Sequence, residues 1–428
     1  MQGDDDELSR LLAPVTPEAF VGRYWGREPL YVRGRADKFA GLFDRAAFER
    51  LRRDPPRRLE INCSFSDYGN RAAARAGRRP VTRITANQYD AMLAAGATLT
   101  LLPLQALEPK VARFAASLKA QLAYAGDLLC TAWLSPPGAG VGAHFDGRAV
   151  ITLQLEGEKR WRISPRPALP WAEHLGLARE DGTCSYDYLG GEAPEVEPWE
   201  EDVALVRDGD LVDVLLRPGD LLYVPAGVYH ETRAEGDAPS LALNVDFAPV
   251  SFWNVLDLAV RPALRADPAW RHLPPAPAAA EGGRLPAHVK AFFLARLDEL
   301  RARLDELRGD ELALNAAWQE LVASLDGPPL APSPAAGLAP DDVLCLSAER
   351  PTTCALGRDG EGREIVYLFH GGREVSFDEP RLVEFGRGLA RRRAFAAREA
   401  LDWAPGLRWD EARELLEVLL REGILTRA

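Results

Sequence analysis

Two short stretches of the chain hold residue types that could do chemistry together. In Val141-Gly142-Ala143-His144-Phe145-Asp146, the imidazole and the carboxylate are two residues apart. On one extended strand their side chains leave the same face and can share one ion. In Pro225-Ala226-Gly227-Val228-Tyr229-His230, the final histidine offers a third ligand. Two imidazoles and one carboxylate on one side of a metal leave the opposite positions open, which is the facial arrangement of non-haem Fe(II) oxygenases. A His-x-Asp pair alone is common by chance, so the weight falls on what surrounds it.

The surroundings read as strands that would carry these residues. Val150 to Leu155 and Lys159 to Ile163 are apolar, β-prone runs joined by a Glu156-Gly157 turn. Leu215-Leu216-Arg217-Pro218-Gly219-Asp220-Leu221-Leu222-Tyr223-Val224-Pro225 contains a Pro-Gly-Asp turn and then a buried strand delivering His230. Leu128 to Ser135 is strand-like and ends in Pro136-Pro137-Gly138-Ala139-Gly140, the loop before His144.

These segments resemble a known family. His144-Phe145-Asp146, then Leu153-Gln154-Leu155-Glu156-Gly157-Glu158-Lys159-Arg160-Trp161, then Pro218-Gly219-Asp220-Leu221-Leu222-Tyr223-Val224-Pro225-Ala226-Gly227-Val228-Tyr229-His230 are similar to the JmjC-type oxygenases of the cupin superfamily, specifically the ribosomal oxygenase branch. The stretch from Ala19-Phe20 through Tyr24-Trp25-Gly26-Arg27-Glu28-Pro29-Leu30-Tyr31-Val32 resembles that family's N-terminal entry, and the tail from about Leu338 its terminal winged-helix domain. The resemblance implies an α+β protein: a double-stranded β-helix (cupin/JmjC jelly roll) with flanking helices, a helical dimerisation region and a C-terminal winged-helix domain. The implied boundaries are 1–260 for the catalytic domain with its N-terminal extension, 261–336 for the helical dimerisation and linker region, and 337–428 for the winged-helix-like domain.

The resemblance also implies Fe(II) held by His144, Asp146 and His230, with 2-oxoglutarate as cosubstrate. Lys159 stands fifteen residues after His144, where the family places the Lys or Arg that binds the cosubstrate. A cation there can point into the barrel, and a dicarboxylate supplies the partner a buried charge needs. Arg160 should face the other way, because side chains alternate along a strand. On the strand after His230, Leu241, Leu243, Val245 and Phe247 form one face, and Ala242, Asn244 and Asp246 the other. Asn244 is either a donor to the C1 carboxylate of the cosubstrate or an ordinary buried, satisfied amide; Asp246 stays unassigned. Thr131 resembles a position where some members carry Asn, and reads either as a cosubstrate contact or as a simple strand threonine.

The implied reaction is hydroxylation of an amino-acid side chain, Arg or His, in a ribosomal protein or another polypeptide, coupled to conversion of 2-oxoglutarate to succinate and CO2. A biosynthetic precursor peptide, an RNA, or no reaction at all in a cupin binding module are the alternatives. N-methyl-lysine demethylation ranks below them.

With 428 residues, 47% of them hydrophobic and 27% charged, the chain has room for two or three domains with a sizeable core. The net charge of −12 argues against coating nucleic acid by bulk attraction and suits a basic protein or peptide partner. No apolar run approaches a membrane span, and the N-terminus lacks a signal-peptide pattern, so a cytoplasmic location is expected. Cys63, Cys130, Cys184, Cys345 and Cys354 lack any Cys-x-x-Cys pair, and read as reduced thiols.

Further elements follow from periodicity and turn chemistry. Thr16-Pro17-Glu18 starts a helix, Phe39 to Leu51 and Pro109 to Tyr124 are amphipathic, and Val289 to Leu307 carries a stripe of Phe292, Leu294, Leu297, Leu300, Leu304 and Leu307. By resemblance the last region forms a homodimer, with intramolecular packing as the alternative. Glu364 to His370 and Arg373 to Phe377 form a hairpin at Gly371-Gly372, followed by helices at Pro380 to Ala390 and Trp409 to Arg421. Arg387, Arg391, Arg392, Arg393 and Arg398 line this tail, but the acidic chain makes DNA binding unexpected. The arginine-rich loop Arg71 to Arg83 is a solvated loop or an RNA-facing one. The acidic insertion Glu180 to Asp202, with Tyr186, Tyr188 and Trp199, is a solvated loop or a basic peptide's entrance. His174, His272, His288 and His370 have no partner at ligand spacing.

Overall fold

The structure, a computed structural model, describes residues 7–64, 82–172, 175–178, 184–187, 208–250, 252–275, 284–327 and 337–428. It divides into two compact units, the first comprising Met1–Pro249, Leu325–Pro329 and Ala348–Arg350, the second the remainder. Most of the basic loop, His174, Tyr188, Trp199 and most of the acidic insertion lie outside the described residues.

In chain order the strands of the first unit are β1 (Leu30–Val32), β2 (Glu60–Ser64), β3 (Thr82–Ile84), β4 (Thr98–Leu102), β5 (Leu128–Ser135), β6 (Gly140–His144), β7 (Ala149–Glu156), β8 (Glu158–Pro167), β9 (Leu175–Ala178), β10 (Cys184–Asp187), β11 (Val212–Leu216), β12 (Leu221–Val224), β13 (Val228–Glu235) and β14 (Ser240–Phe247). Eight of them form one antiparallel sheet in the order β1-β12-β7-β14-β5-β4-β2-β3, and four form a second in the order β11-β8-β13-β6. At Gly157 the chain crosses from β7 in the large sheet to β8 in the small one, through a φ of +65° that is open to glycine at little cost.

Alternation along the strands gives the large sheet two apolar tasks. Its outer face, with Ile151, Leu153, Cys130, Ala132, Leu134, Leu243 and Val245, joins the main core against helices α1 (Glu7–Leu12), α2 (Arg45–Arg53) and α3 (Pro109–Gln121). Val111, Phe114 and Leu118 are the buried stripe of α3, as the periodicity predicts. Trp25 packs on the same face, stacked 5.7 Å from Tyr223 and edge-on to Phe247 at 5.0 Å. The inner face contributes Val150, Leu222 and Val224 to a second cluster with Trp161, Ile163, Leu216 and Val228 of the small sheet. The two sheets therefore pack face to face as a jelly roll, and the residues between them form its interior.

Two details differ from the sequence reading. The helix expected from Phe39 starts only at Arg45, because the Asp44 carboxylate accepts from the Ala47 N–H and caps it there; Phe39 and Phe43 are buried from the preceding turns instead. The strand that carries His144 ends at that residue. Asp146 lies just past it, beyond a single antiparallel bridge between Phe145 and Gly176.

The second unit contains α4 (Phe252–Ala266), α5 (Ala287–Arg308) and α6 (Glu311–Ala323), then strands β15 (Val343–Leu346), β16 (Thr352–Arg358), β17 (Glu364–His370), β18 (Arg373–Phe377), β19 (Ala394–Ala396) and β20 (Leu425–Arg427), with α7 (Pro380–Ala390) and α8 (Trp409–Arg421). The strands form two three-stranded sheets, β19-β15-β20 and β16-β17-β18. Leu344, Val366, Phe385, Leu389, Leu416 and Leu420 are among the residues of its core. The α5 stripe is split: Phe292, Leu300, Leu304 and Leu307 are half-buried, whereas Leu294 and Leu297 are 50% and 58% exposed. Among the described residues no helix is long and apolar enough to cross a membrane. Cys63, Cys130, Cys345 and Cys354 are all free.

Candidate metal centre

His144 and His230 face each other as register partners on β6 and β13, with ring centroids 4.3 Å apart. Asp146 closes the group: its Oδ1 lies 3.7 Å from His144 Nε2 and its Oδ2 3.6 Å from His230 Nε2. Among the described residues these three are the one group of acidic, thiol or imidazole side chains converging as a metal site would. Each imidazole is oriented from behind. His144 Nδ1 lies 2.7 Å from the Gly142 carbonyl and His230 Nδ1 2.9 Å from the Val228 carbonyl. An Nδ1–H donated to those carbonyls leaves both Nε2 lone pairs aimed at Asp146, the tautomer a metal requires. Burial, followed by the neighbouring His144, pushes the His230 pKa down to about 4, so this ring is neutral and able to ligate at physiological pH.

Two further residues hold this arrangement. Trp161 lies parallel to the His230 ring, centroids 5.4 Å apart and 25° between planes, and fixes its tilt from the β8 side. The Gly227 N–H donates to the Asp146 carbonyl at 2.8 Å, which anchors the residue beyond the strand end. Gly227 has φ +78°, and a Cβ there would sit 1.8 Å from the Leu169 oxygen. Only glycine fits.

The interior continues away from the histidines as a polar row. Asn244 pairs in register with Thr131 on one side and Thr152 on the other, so the three side chains share the inner face. All three are buried. Thr131 Oγ1 donates to Asp246 Oδ2 at 3.4 Å. Asp246 is half-buried; desolvation first, and the charge of Asp146 second, push its pKa up to about 7. Lys159 stands deeper, 3% exposed, with Nζ donating to Ser135 Oγ at 3.0 Å and lying 6.0 Å from the centre of the Trp133 ring. No carboxylate pairs with it among the described residues, and burial pushes its pKa down to about 8. Arg160 faces outward to Glu235 and Asp213, as alternation requires. Among the described residues the buried Thr152 Oγ1 and Trp133 Nε1 have no hydrogen-bond partner. A buried ammonium without a counter-charge is costly and well suited to receive an anion.

All six residues singled out in the sequence therefore lie on or beside one interior. Ser135, Trp133, Thr152, Trp161 and Gly227 were not singled out. Trp161 was within reach, since it shares the period-2 face of Lys159, and Thr152 and Trp133 share the faces of Gln154 and Thr131 in the same way. Ser135 and Gly227 carry no sequence signal that separates them from ordinary strand-end and turn residues.

Comparison with known proteins agrees with this geometry. A JmjC domain model matches residues 101–185 and 192–255, the stretch that holds every residue above. This part of the chain matches the JmjC domain. Ribosomal oxygenase 1 of Gallus gallus is 31% identical over 278 residues, covering 62% of this chain and 41% of that protein. Ribosomal oxygenase 1 of Homo sapiens is likewise 31% identical, over 61% of this chain and 38% of that one. The chain thus spans about two fifths of the length of these curated relatives. Among solved structures, the Escherichia coli ribosomal oxygenase YcfD superposes with a TM-score of 0.58 at 17% identity, over 97% of this chain and 98% of that one, so the chain shares its fold. YcfD has also been solved in complex with cobalt and 2-oxoglutarate, with a TM-score of 0.57.

Proposed function

We propose that the protein is an Fe(II)- and 2-oxoglutarate-dependent oxygenase that hydroxylates a side chain, arginine or histidine, of a ribosomal protein. The observation that carries this reading is the pairing of a His144, Asp146, His230 group with a buried, uncompensated Lys159 on one barrel interior. Two neutral imidazoles and a carboxylate are the donor set for a divalent transition metal with open positions. Lys159 and Ser135, beside Trp133, form a seat for a carboxylate, and 2-oxoglutarate carries one at the end remote from its metal-chelating keto acid. The complex of YcfD with cobalt and 2-oxoglutarate supports the same pair of ligands here.

His144, Asp146 and His230 would hold the iron, which when bound supplies the activation of O2 and of the cosubstrate. The chain supplies the rest. The carbonyls of Gly142 and Val228 fix the imidazole tautomers, and Trp161 sets the tilt of His230. Lys159 and Ser135 hold the far carboxylate of the cosubstrate, Asn244 hydrogen-bonds its near end, and Thr131 lines that end with its hydroxyl donated to Asp246. The apolar cluster around Val150, Trp161 and Val224 keeps bulk water from the interior.

An acidic chain of net charge −12 suits a basic ribosomal protein in the cytoplasm. In the second unit the exposed Phe293, Leu294 and Leu297 on α5 support a homodimer through residues 261–336, and β15 to β20 with α7 and α8 serve as a winged-helix-like domain, 337–428, that positions substrate.

The test is anaerobic addition of Fe(II) and 2-oxoglutarate, followed by the metal-to-ligand charge-transfer absorbance. The wild type should show the band, His144→Ala should lose it, and Lys159→Ala should need far more 2-oxoglutarate to reach it. No band in the metallated wild type would refute the assignment. Incubation with ribosomal proteins under O2 should then add one oxygen to a single arginine or histidine, read by mass spectrometry.

A further inference from the structure

The interior is unevenly open. Thr131, Thr152, Lys159 and Trp161 are sealed, whereas Leu129, Asp246 and Asp146 reach solvent, with 34% of the Asp146 side chain exposed. Leu129 and Asp246 are register partners on β5 and β14, so the open side lies along those two strands. A substrate side chain must approach the histidine-bound end from there, and two carboxylates meet it. Asp146 belongs to the metal group, with an oxygen toward each imidazole. Asp246 does not, and it forms no ion pair among the described residues. The exposed Arg148 acts on it electrostatically, without an ion pair. A hydrogen bond from Thr131 orients the carboxyl at the row that also carries Asn244. A half-buried carboxylate held in place without a counter-cation, at the mouth of a site whose other carboxylate is committed, is built to receive a cation.

We propose that Asp246 is a specificity-determining residue that binds the positively charged side chain of the substrate, so that the site takes a cationic side chain in preference to a neutral one of the same shape. This rests on the oxygenase reading above and narrows its substrate to a guanidinium or ammonium, ahead of a neutral imidazole. A charge-assisted hydrogen bond in a partly desolvated site is worth roughly 10- to 100-fold in affinity.

The experiment uses the full chain with Fe(II) and 2-oxoglutarate under anaerobic conditions, as wild type, Asp246→Asn and Asp246→Ala. Pentapeptides Ala-Ala-Xaa-Ala-Ala are titrated in, with arginine, citrulline, lysine or histidine at the centre, and binding is read from the change in the charge-transfer band. Citrulline keeps the shape of arginine without its charge. Wild type should bind the arginine or lysine peptide at least tenfold more tightly than the citrulline peptide, and both variants should lose that preference while keeping the band. A wild type that binds the arginine and citrulline peptides equally or binds none, or an Asp246→Asn variant that keeps the preference, would overturn the proposal. Loss of the band in Asp246→Asn would also overturn it, by assigning the carboxylate to the metal. Absence of the band in the wild type is a separate result, which removes the oxygenase reading itself.

Discussion

Replacing Lys159 with methionine should make the empty protein more stable and its cosubstrate binding much weaker. Lys159 is buried with a serine hydroxyl as its hydrogen-bond partner, and its pKa falls to about 8. The unfolded chain would hold that proton up to the ordinary lysine value of about 10.4, a gap worth about 3 kcal/mol. Below pH 8 both states are protonated and the folded state carries the whole penalty. Between about pH 8 and 10.4 the folded state sheds the proton first, so the Lys159 contribution to the stability of the metal-free protein rises with pH across that window, alongside that of the buried Lys119, which the variant keeps. Lys159→Met, of similar length and apolar, should exceed the wild type by up to about 3 kcal/mol at pH 7 and by less at pH 10. The same change removes one partner of a buried charge pair, which costs about 2–5 kcal/mol, or roughly 30-fold to several-thousand-fold in 2-oxoglutarate affinity. Denaturant unfolding of the metal-free full chain at pH 7 and pH 10 measures the first effect, and titration of the anaerobic charge-transfer band measures the second. A variant that binds 2-oxoglutarate within threefold of wild type would refute the role given to Lys159, and one less stable than wild type at pH 7 would refute the electrostatic account of the empty site.

Other residues give independent checks. His230 is held neutral by burial, with a folded pKa near 4 against about 6.5 unfolded, so it should take up to about 3 kcal/mol from the metal-free protein as pH falls from 6.5 to 4; Asp246, raised to about 7, acts with the opposite sign, so the loss is read from melting temperatures of Asp246→Asn at successive pH values. Gly227→Ala forces a Cβ against the Leu169 oxygen at positive φ, and should cost more than about 1 kcal/mol and weaken Mn(II) binding by displacing Asp146, measured by unfolding and by calorimetry. Leu294→Glu combined with Leu297→Glu places charge on the exposed face of α5 and should convert a dimer to monomers in sedimentation, with the charge-transfer band kept.

The metal group was legible in the sequence because motifs mark its residues: a two-residue His-x-Asp spacing and a Pro-Gly-Asp turn with a strand before His230, although β6 and β13 are far apart in the chain. The faces of β14 were legible too, since Leu241, Leu243, Val245 and Phe247 alternate with Ala242, Asn244 and Asp246, and the structure buries the first set in the main core. What was not legible depends on contacts that no motif marks. Ser135 matters because Lys159, 24 residues away, reaches it across the barrel. Gly227 matters through a backbone bond to Asp146 and a close pass by Leu169. The expected α2 boundary was displaced because a capping aspartate outranked an apolar period that continued through a turn. The even stripe on α5 was misleading for a related reason, since helical spacing identifies apolar positions but not which of them are covered.

The empty barrel is electrostatically strained at both ends, and this dictates how its ligands should cooperate. Asp146 and Asp246 repel each other at the open end, and Lys159 lacks a counter-anion at the closed end. A divalent metal relieves the first strain. A dicarboxylate relieves the second, but without metal its near end would meet the two carboxylates with no cation between them. 2-Oxoglutarate alone should therefore bind weakly and hardly raise the melting temperature, and Mn(II) alone should raise it moderately. The two together should raise it by more than the sum, because each ligand prepares the charge environment of the other. At concentrations 100-fold above its dissociation constant in the ternary complex, each ligand adds about 2.7 kcal/mol. Thermal unfolding with neither, either and both ligands decides the matter. An equal shift from 2-oxoglutarate with and without Mn(II) would mean that Lys159 captures the dicarboxylate independently of the metal, and that the two ends of the barrel are uncoupled.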